Sequence, residues 1–291
     1  MSLKKPLYID PMVDFAFKKI FRDSGKTQLL IRPLNAIFNL DIAELKILQS
    51  EHLGQSEEDR TACFDLECKT PDGRTFIIEV QLARQTHFLE RALYYTTFPI
   101  QEAAPKDKDE HDRWDYNYPP VFFLGLLNFN LRHLERSLAR MDQFIHQFTL
   151  RDELTGELMT DRLRFAFLEV ARFDKPKEAC ETFEDRFLFM MKNLPTFAER
   201  PELLWDDLYF DMLLEEAEFA SMTREEQKDY RISLKMKNDY YNTIEYARNE
   251  GMEKGMEKGK ADTAKNLKKL GVDAKIIAKS TGLSEEQIAA L

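Results

Sequence analysis

The sequence predicts an α/β protein, in which a helix, three strands, a second helix and a further strand precede a helical C-terminal region. Three observations predict this class. Residues 64–81 alternate between apolar and polar side chains around a turn, which is typical of a β-hairpin. Residues 121–127 form an apolar run of the length of a buried strand. From residue 181 onward apolar residues recur at helical spacing. The sheet is therefore expected in the first 175 residues.

Composition indicates a large globular core. The chain has 291 residues, of which 43% are hydrophobic and 22 are Phe, and its net charge is −10. That charge is not typical of a protein that binds DNA over its whole surface, but residues 1–40 carry seven basic and three acidic side chains. Three cysteines are too few for a disulfide framework. The sequence has neither an apolar run long enough to span a membrane nor a secretory leader, so a cytoplasmic location without membrane contact is expected.

Two helices are predicted near the N-terminus. Asp10 suits the N-cap of the first helix and Pro11 its first turn. The residues after them form an apolar stripe at helical spacing: Val13, Phe17, Ile20 and Phe21. The second helix is expected over residues 28–38, and residues 42–48 alternate well enough to form the first strand.

The hairpin is the most informative segment, because its turn fixes its register. Pro71-Asp72-Gly73 suits a three-residue loop, with Gly73 in the left-handed conformation. A loop centred on Asp72 sets Asp65 opposite Glu79, with Gln81 one pleat further along. The same register puts a set of apolar residues on the other face: Phe64, Leu66, Cys68, Phe76, Ile78 and Val80. A two-residue loop would mix the two faces.

Two carboxylates that face each other, with Cβ atoms roughly 5 Å apart, repel unless a cation lies between them. Hard divalent cations such as Mg²⁺ take oxygen ligands of this kind. The alternative is a solvated hairpin face, which Glu67 and Lys69 on that face support. Ile77 on the same face, and the apolar run around Glu79, favour instead a buried strand and a functional pair.

The remaining core elements follow in order. A helix is predicted over residues 86–104, ended by Pro105 and the charged loop 106–110. The strand at residues 121–127 comes next, and residues 164–170 are expected to extend the sheet. A helical extension then occupies residues 176–240.

The tail, residues 241–291, contains the internal repeat Gly-Met-Glu-Lys over residues 251–258, within a helix expected over residues 239–270. Glycines four residues apart permit close helix packing, but each costs roughly 1 kcal/mol relative to Ala, so a marginal linker helix is the alternative. Two short helices follow, the second with Ser284 and Gln287 as a capping box. This pair is similar to a small helix-turn-helix, either a DNA reader or a packing and oligomerisation module.

Asp65, the hairpin and Glu79-Val80-Gln81 together resemble the active site of PD-(D/E)XK nucleases, in the variant with Gln at the lysine position. The context is similar to the PD-(D/E)XK nuclease family transposases, also called recombination-promoting nucleases. Four stretches carry this likeness in order: residues 14–21, 34–38, 78–81 and 91–95. The resemblance implies a restriction-endonuclease-like core with a mixed sheet in residues 1–175.

The resemblance also implies a chemistry. Asp65 and Glu79, with the backbone carbonyl of Val80, would hold Mg²⁺, with Mn²⁺ as a substitute, for hydrolysis of a DNA phosphodiester. Gln81 stands at the lysine position, where it can orient a water but supplies no positive charge. Asp14 matches an acidic position on the family's first helix. It either binds the metal or is a first-turn carboxylate that the helix dipole stabilises.

The expected substrate is double-stranded DNA, and a homodimer is compatible with the sequence. Arg91, flanked by Tyr94 and Tyr95, could equally be stacked or ion-paired, and it is one of five basic residues that are candidates for DNA contact: Lys18, Lys19, Lys69, Arg84 and Arg91. Of these, Lys69 or Arg84 is the candidate for the cation that Gln81 lacks. The expected function is a Mg²⁺-dependent endonuclease in recombination or mobile-element activity. Two alternatives remain: a catalytically degenerate scaffold that assembles through its helical tail, and a DNA binder acting through that tail.

Overall fold

The fold is known from a computed structural model, which describes residues 6–48, 51–52, 62–103, 116–131, 143–202 and 207–291. The chain divides into two compact units, Met1–Ser233 and Leu234–Leu291. The first unit contains a six-strand sheet with helices, and the second is helical. No helix in the described residues is both long and apolar enough to cross a membrane.

Helix α1, Asp14–Lys18, begins later than the sequence predicts and continues as a π-helical turn, Lys19–Asp23. The predicted start at Asp10 is wrong. The Asp10 Oδ1 atom accepts a hydrogen bond from the Met12 N–H at 2.9 Å, and the Asp10 carbonyl accepts one from the Val13 N–H at 3.0 Å. Asp10 therefore caps a turn rather than a helix.

Helix α2, Gln28–Phe38, has the predicted bounds, and Asn39 ends it in the left-handed conformation with φ 53°. Its apolar face packs on the sheet, where the ring of Phe38 lies 5.1 Å from that of Phe122 and 6.4 Å from that of Phe76. This helix therefore covers one face of the sheet.

The main sheet is mixed, as predicted. Strands β5, β6 and β8 run parallel and the other pairs are antiparallel, in the order β1-β4-β5-β6-β8-β7. The bounds of its strands are Lys46–Leu48 (β1), Leu66–Lys69 (β4), Thr75–Gln81 (β5), Val121–Leu127 (β6), Ile145–Arg151 (β7) and Leu158–Glu169 (β8). A separate two-strand ladder joins β2, Glu51–His52, to β3, Ala62–Cys63.

Several strand bounds differ from those predicted. Strand β1 is shorter than residues 42–48, and β8 begins six residues before Arg164. Strand β7 was not predicted, because this edge strand is largely exposed beyond His146 and its pattern lacks a buried apolar run. The register of β4 with β5 is as predicted, with Leu66 opposite Ile78 and Cys68 opposite Phe76.

Helix α3, Phe88–Glu102, covers the opposite face of the sheet from α2. Phe88 and Ala92 share an apolar core with Ile77, Phe123 and Phe167. The helix begins two residues after the predicted start, and the charged loop predicted at residues 106–110 lies outside the described residues. The sheet is therefore enclosed between α2 and α3.

Helices α4, Phe183–Asn193, and α5, Leu208–Ala217, lie beside α2 in the first unit. The Tyr209 hydroxyl donates a hydrogen bond to the Leu29 carbonyl at 3.1 Å, and Arg32 forms an ion pair with Asp207. These contacts place helices that follow the sheet in sequence against the N-terminal helices.

The second unit contains the C-terminal part of α6, Arg224–Lys269, with α7, Ala274–Thr281, and α8, Glu285–Ala290. Helix α6 begins 15 residues before the predicted Asp239. Ala264, Ile277 and Ile288 form a small core, so the end of α6 supplies a third helix to the predicted pair. The predicted capping box in α8 is present. The glycines of the repeat are exposed, and a Cβ added to Gly251, Gly255 or Gly259 would have no described neighbour within 4 Å.

Candidate active site

Asp65 lies at a bend just before β4, and this bend is not what the register predicted. The Asp65 Oδ2 atom accepts a hydrogen bond from the Val80 N–H at 2.6 Å, while the ladder itself begins at Leu66. Phe64 therefore leaves the face of Leu66, and its ring packs 4.9 Å from that of Tyr95 on α3. The predicted position of Phe64 is wrong, because the Asp65 side chain replaces a backbone partner and turns the chain.

Glu79 is held on β5, a strand with all seven residues buried. Its side chain is 4% exposed. The Oε2 atom accepts a hydrogen bond from the Gln81 side-chain amide at 2.8 Å, whereas the buried Oε1 atom has no hydrogen-bond partner. On β6, the residue beside Glu79 is Gly125, which carries no side chain. One carboxylate oxygen is thus buried and available to a ligand.

The two carboxylates are close enough to change each other's protonation. Burial, and then the negative charge of Asp65, raise the pKa of Glu79 to about 8, although the Arg91 charge and the Gln81 hydrogen bond act in the opposite direction. Burial also raises the pKa of Asp65 to about 6, against the hydrogen bond from Val80 and with the repulsion of Asp14. Because the pair repels when ionised, it favours binding either a proton or a cation.

Asp14, in the first turn of α1, extends this acidic group. Its negative charge raises the pKa of Asp65, and its carboxylate forms an ion pair with the Lys18 ammonium at 2.7 Å. Burial alone would lower the pKa of Lys18, but the hydrogen bond to Asp14 and the charges of Asp14 and Asp65 raise it. Helix α1 therefore brings one acid and one cation to the end of the hairpin.

Gln81 is the last residue of β5 and links Glu79 to α3. Its Oε1 atom accepts a hydrogen bond from the Arg91 Nη2 group at 3.0 Å, and Arg91 also donates to the Gln85 side chain. The Arg91 guanidinium lies 5.7 Å from the ring centres of Phe88 and Tyr95. A chain of contacts thus runs from a cation on α3 through an amide to the buried carboxylate.

The other predicted basic residues lie in different surroundings. Lys19 forms an ion pair with Glu226 at 2.6 Å, and exposed Arg84 donates to the Asn130 carbonyl. Lys69 lies at the turn end of β4, opposite Thr75. Four residues of strand span about 13 Å, so the fold does not bring Lys69 to Asp65.

The oxygen atoms present at the site fit a divalent metal. Because the N–H and C=O of one residue point to the same side of a strand, the Val80 carbonyl faces the Asp65 side as its N–H does. Within the described residues no three His, Cys, Asp or Glu side chains converge closely enough to hold an ion. Asp65, Glu79 and a backbone carbonyl match the small oxygen set with which Mg²⁺ is bound, the rest of its shell being water and phosphate. The unpartnered Glu79 Oε1 atom is consistent with such a ligand.

Comparison with protein-family models identifies the family to which the chain belongs. A family model described as PD-(D/E)XK nuclease family transposase matches residues 11–247. The chain belongs to the PD-(D/E)XK nuclease family transposases. This confirms the family and, with the six-strand mixed sheet, the predicted fold class. No curated protein and no solved structure matches the chain.

Sequence reasoning missed two features of this transposase-family site. The first is the contact of Arg91 with Gln81, since the sequence predicts for Arg91 either a phosphate contact or a stacked or ion-paired side chain and does not indicate Gln81 as its partner. A signal was present: Arg91 stands between Phe88 and Tyr95 at helical spacing, on the side of α3 that faces the sheet. The second is Gln85, whose side chain also accepts a hydrogen bond from the Arg91 guanidinium. It lies in a loop, where no periodicity indicates which side chains are directed inward.

Proposed function

We propose that this transposase-family chain is a Mg²⁺-dependent DNA endonuclease, which hydrolyses phosphodiester bonds in recombination or mobile-element activity. One observation carries the proposal: the buried carboxylate of Glu79 and the half-buried carboxylate of Asp65 repel each other at the end of a strand, and the Glu79 Oε1 atom has no hydrogen-bond partner. A protein with no use for a cation gains no stability from such a pair. Family membership supports the nuclease class.

Asp65 and Glu79, together with the Val80 carbonyl, would hold the cation, and Mn²⁺ has suitable coordination chemistry to replace Mg²⁺. A divalent cation bound there lowers the pKa of a coordinated water and neutralises charge that develops on the phosphate. The chain's own groups do the rest. Asp65 is oriented by the Val80 N–H, Glu79 by the Gln81 amide, and burial of Glu79 excludes bulk water from its side of the site.

Double-stranded DNA is the proposed substrate. Lys18 lies beside the carboxylates, where its ammonium suits contact with a phosphate adjacent to the scissile bond. We propose Lys19, Lys69 and Arg84 as contacts to flanking phosphates. A homodimer would let two such sites cut both strands. In a plasmid assay this yields the linear form, whereas cleavage of one strand yields the open circle.

Plasmid nicking with purified full-length protein tests the proposal. In Mg²⁺ or Mn²⁺, wild type should convert supercoiled plasmid to the open circle. Asp65→Asn and Glu79→Gln, which keep side-chain size but remove charge, should each lower the rate by at least about 100-fold, since such ligands contribute several kcal/mol to the transition state. Glu153→Gln, at an exposed turn, is the matched control and should cut at the wild-type rate.

Chelation by EDTA should abolish nicking by wild type, and added Mn²⁺ should restore it. Nicking that persists in both site variants would assign the activity to other residues or to a contaminant. Failure of wild type to nick any plasmid with either metal would overturn the proposal and favour a scaffold role.

A further inference from the structure

We propose that Arg91 is a positioning residue that acts through Gln81, fixing the amide and supplying beside it the positive charge that a lysine at position 81 would carry. This inference rests on the proposed nuclease function and assigns a residue outside the Glu79-Val80-Gln81 motif to its site. The geometry comes from three linked groups: the guanidinium of Arg91, the amide of Gln81 and the carboxylate of Glu79.

The donors and acceptors of these groups determine which way the amide points. A guanidinium donates hydrogen bonds and accepts none, so the atom of Gln81 that faces Arg91 at 3.0 Å must be the carbonyl oxygen. The amide nitrogen of Gln81 is thereby directed at the Glu79 Oε2 atom, 2.8 Å away. An isolated glutamine could present either end to a carboxyl group. With Arg91 in place, only the orientation that donates to an ionised Glu79 remains.

The same orientation leaves the amide with a second N–H. One N–H of the Gln81 amide donates to Glu79. The contact with Arg91 occupies the amide oxygen, so it does not use the second N–H. A donor held in this way, beside the candidate metal ligands, suits an attacking water or a phosphate oxygen. Gln81 alone is neutral, so the charge on this side of the site comes from the guanidinium behind it.

The surroundings of Arg91 keep the guanidinium fixed. It lies between the rings of Phe88 and Tyr95, with 5.7 Å to each ring centre, and a second donor is occupied by Gln85. The Nε atom is buried without a hydrogen-bond partner. Aromatic contacts of this kind favour a cation over a neutral side chain. Arg91 is therefore held at the site before any substrate arrives.

Steady-state nicking by four proteins tests the role: wild type, Arg91→Met, Gln81→Lys and the double variant. Methionine keeps an unbranched stem against Phe88 and Tyr95 but removes the guanidinium. Arg91→Met should lower kcat by about 10- to 100-fold, the usual effect of losing a group that orients a ligand, with KM for plasmid within about twofold of wild type. Arg151→Met, on the exposed end of β7, should leave both constants unchanged.

The double variant gives the decisive readout. Gln81→Lys would bring a cation directly to the site, which would then no longer need Arg91. Adding Gln81→Lys to Arg91→Met should therefore raise kcat at least about 10-fold, the part of the loss that a restored charge recovers. Gln81→Lys alone sets two cations together and should be slower than the double variant. If Arg91 were needed only for folding, a positive charge at position 81 would not restore the kcat that Arg91→Met loses.

The outcomes separate this inference from the proposed function. If wild type nicks and Arg91→Met is equally fast, or if Gln81→Lys gives the folded double variant no increase, the role of Arg91 is overturned and the nuclease function stands. If wild type nicks with neither metal, the proposed function falls, and this role with it. Thermal unfolding of each variant, monitored by circular dichroism, establishes which of them are folded.

Discussion

At the scale of single residues, the site is defined by a conflict between burial and charge. Asp65 and Glu79 both lose solvation in the fold, the charge of Asp65 raises the pKa of Glu79, and the charge of Asp14 raises that of Asp65. The hydrogen bonds from Val80 and Gln81 offset this only in part. Without metal, the site therefore retains protons that the same groups release in the unfolded chain.

Stability without metal should consequently fall as the pH rises. Below about pH 3, both states of the protein carry these protons and the pair has no effect. As the pH rises towards 8, the unfolded chain ionises first while Glu79, with its pKa raised to about 8, keeps its proton, so unfolding becomes easier. The free energy of unfolding should fall by about a few kcal/mol on this account. Glu79→Gln cannot ionise and should show a flatter profile.

The measurement is the melting temperature in EDTA between about pH 5 and 8, for wild type and Glu79→Gln, the range over which the unfolded carboxyl group is ionised. The difference between the two proteins should shift steadily in favour of the variant as the pH rises. Parallel profiles would contradict the raised pKa of Glu79.

At the scale of elements, the site depends on how closely β5, β6 and β8 pack beneath α3. Gly125 on β6 lies between two neighbours in the sheet, Glu79 on β5 and Phe167 on β8. A Cβ at Gly125 would lie 2.8 Å from the Cδ1 atom of Phe167, which is 3% exposed in the core against Phe88. A glycine here lets the aromatic ring cover the strand next to the carboxylate.

Gly125→Ala should destabilise the protein by about 1–3 kcal/mol, because an extra methyl group in a packed core forces its neighbours to move. Phe167→Leu in the same chain should recover part of this loss. Gly251→Ala is the control: this exposed helical glycine has no described neighbour within 4 Å, so the change should be neutral or slightly stabilising. Urea denaturation measures all three, and a Gly125→Ala protein as stable as wild type would contradict the close packing.

At the scale of the whole first unit, the N-terminal segment is held by residues from the far end of that unit. The Ile9 N–H donates to the Ala217 carbonyl at 2.8 Å, and the Asp10 N–H donates to the Tyr230 hydroxyl at 3.0 Å. Tyr230 is 2% exposed. The helices after the sheet thus fix the segment that leads into α1, and with it Asp14.

Tyr230→Phe should cost about 1–3 kcal/mol, since it removes the hydroxyl that accepts a hydrogen bond from the buried Asp10 N–H. Tyr246→Phe, at a tyrosine that is 70% exposed on α6, should change stability by less than about 0.5 kcal/mol. Chemical denaturation compares the two. Equal effects would show that the hydroxyl of Tyr230 contributes nothing specific.

The sequence alone determined the elements that local chemistry specifies. Gly73, with φ 89°, takes the left-handed turn position that the Pro-Asp-Gly loop requires, and the loop in turn fixes the strand register. The bounds of α2 and the capping box of α8 followed from periodicity and side-chain chemistry of the same local kind. The predicted division at residues 175 and 240 stays a prediction.

Only the tertiary structure decided how the site is assembled. Asp65 turns the chain by accepting a hydrogen bond from Val80, and Arg91 on α3 donates one to Gln81 on β5. Both contacts join separate elements. Turn chemistry and helical periodicity act over a few residues, so they are visible in sequence. A side-chain hydrogen bond across a strand end or from helix to sheet depends on where packing sets each backbone, and no short pattern records that.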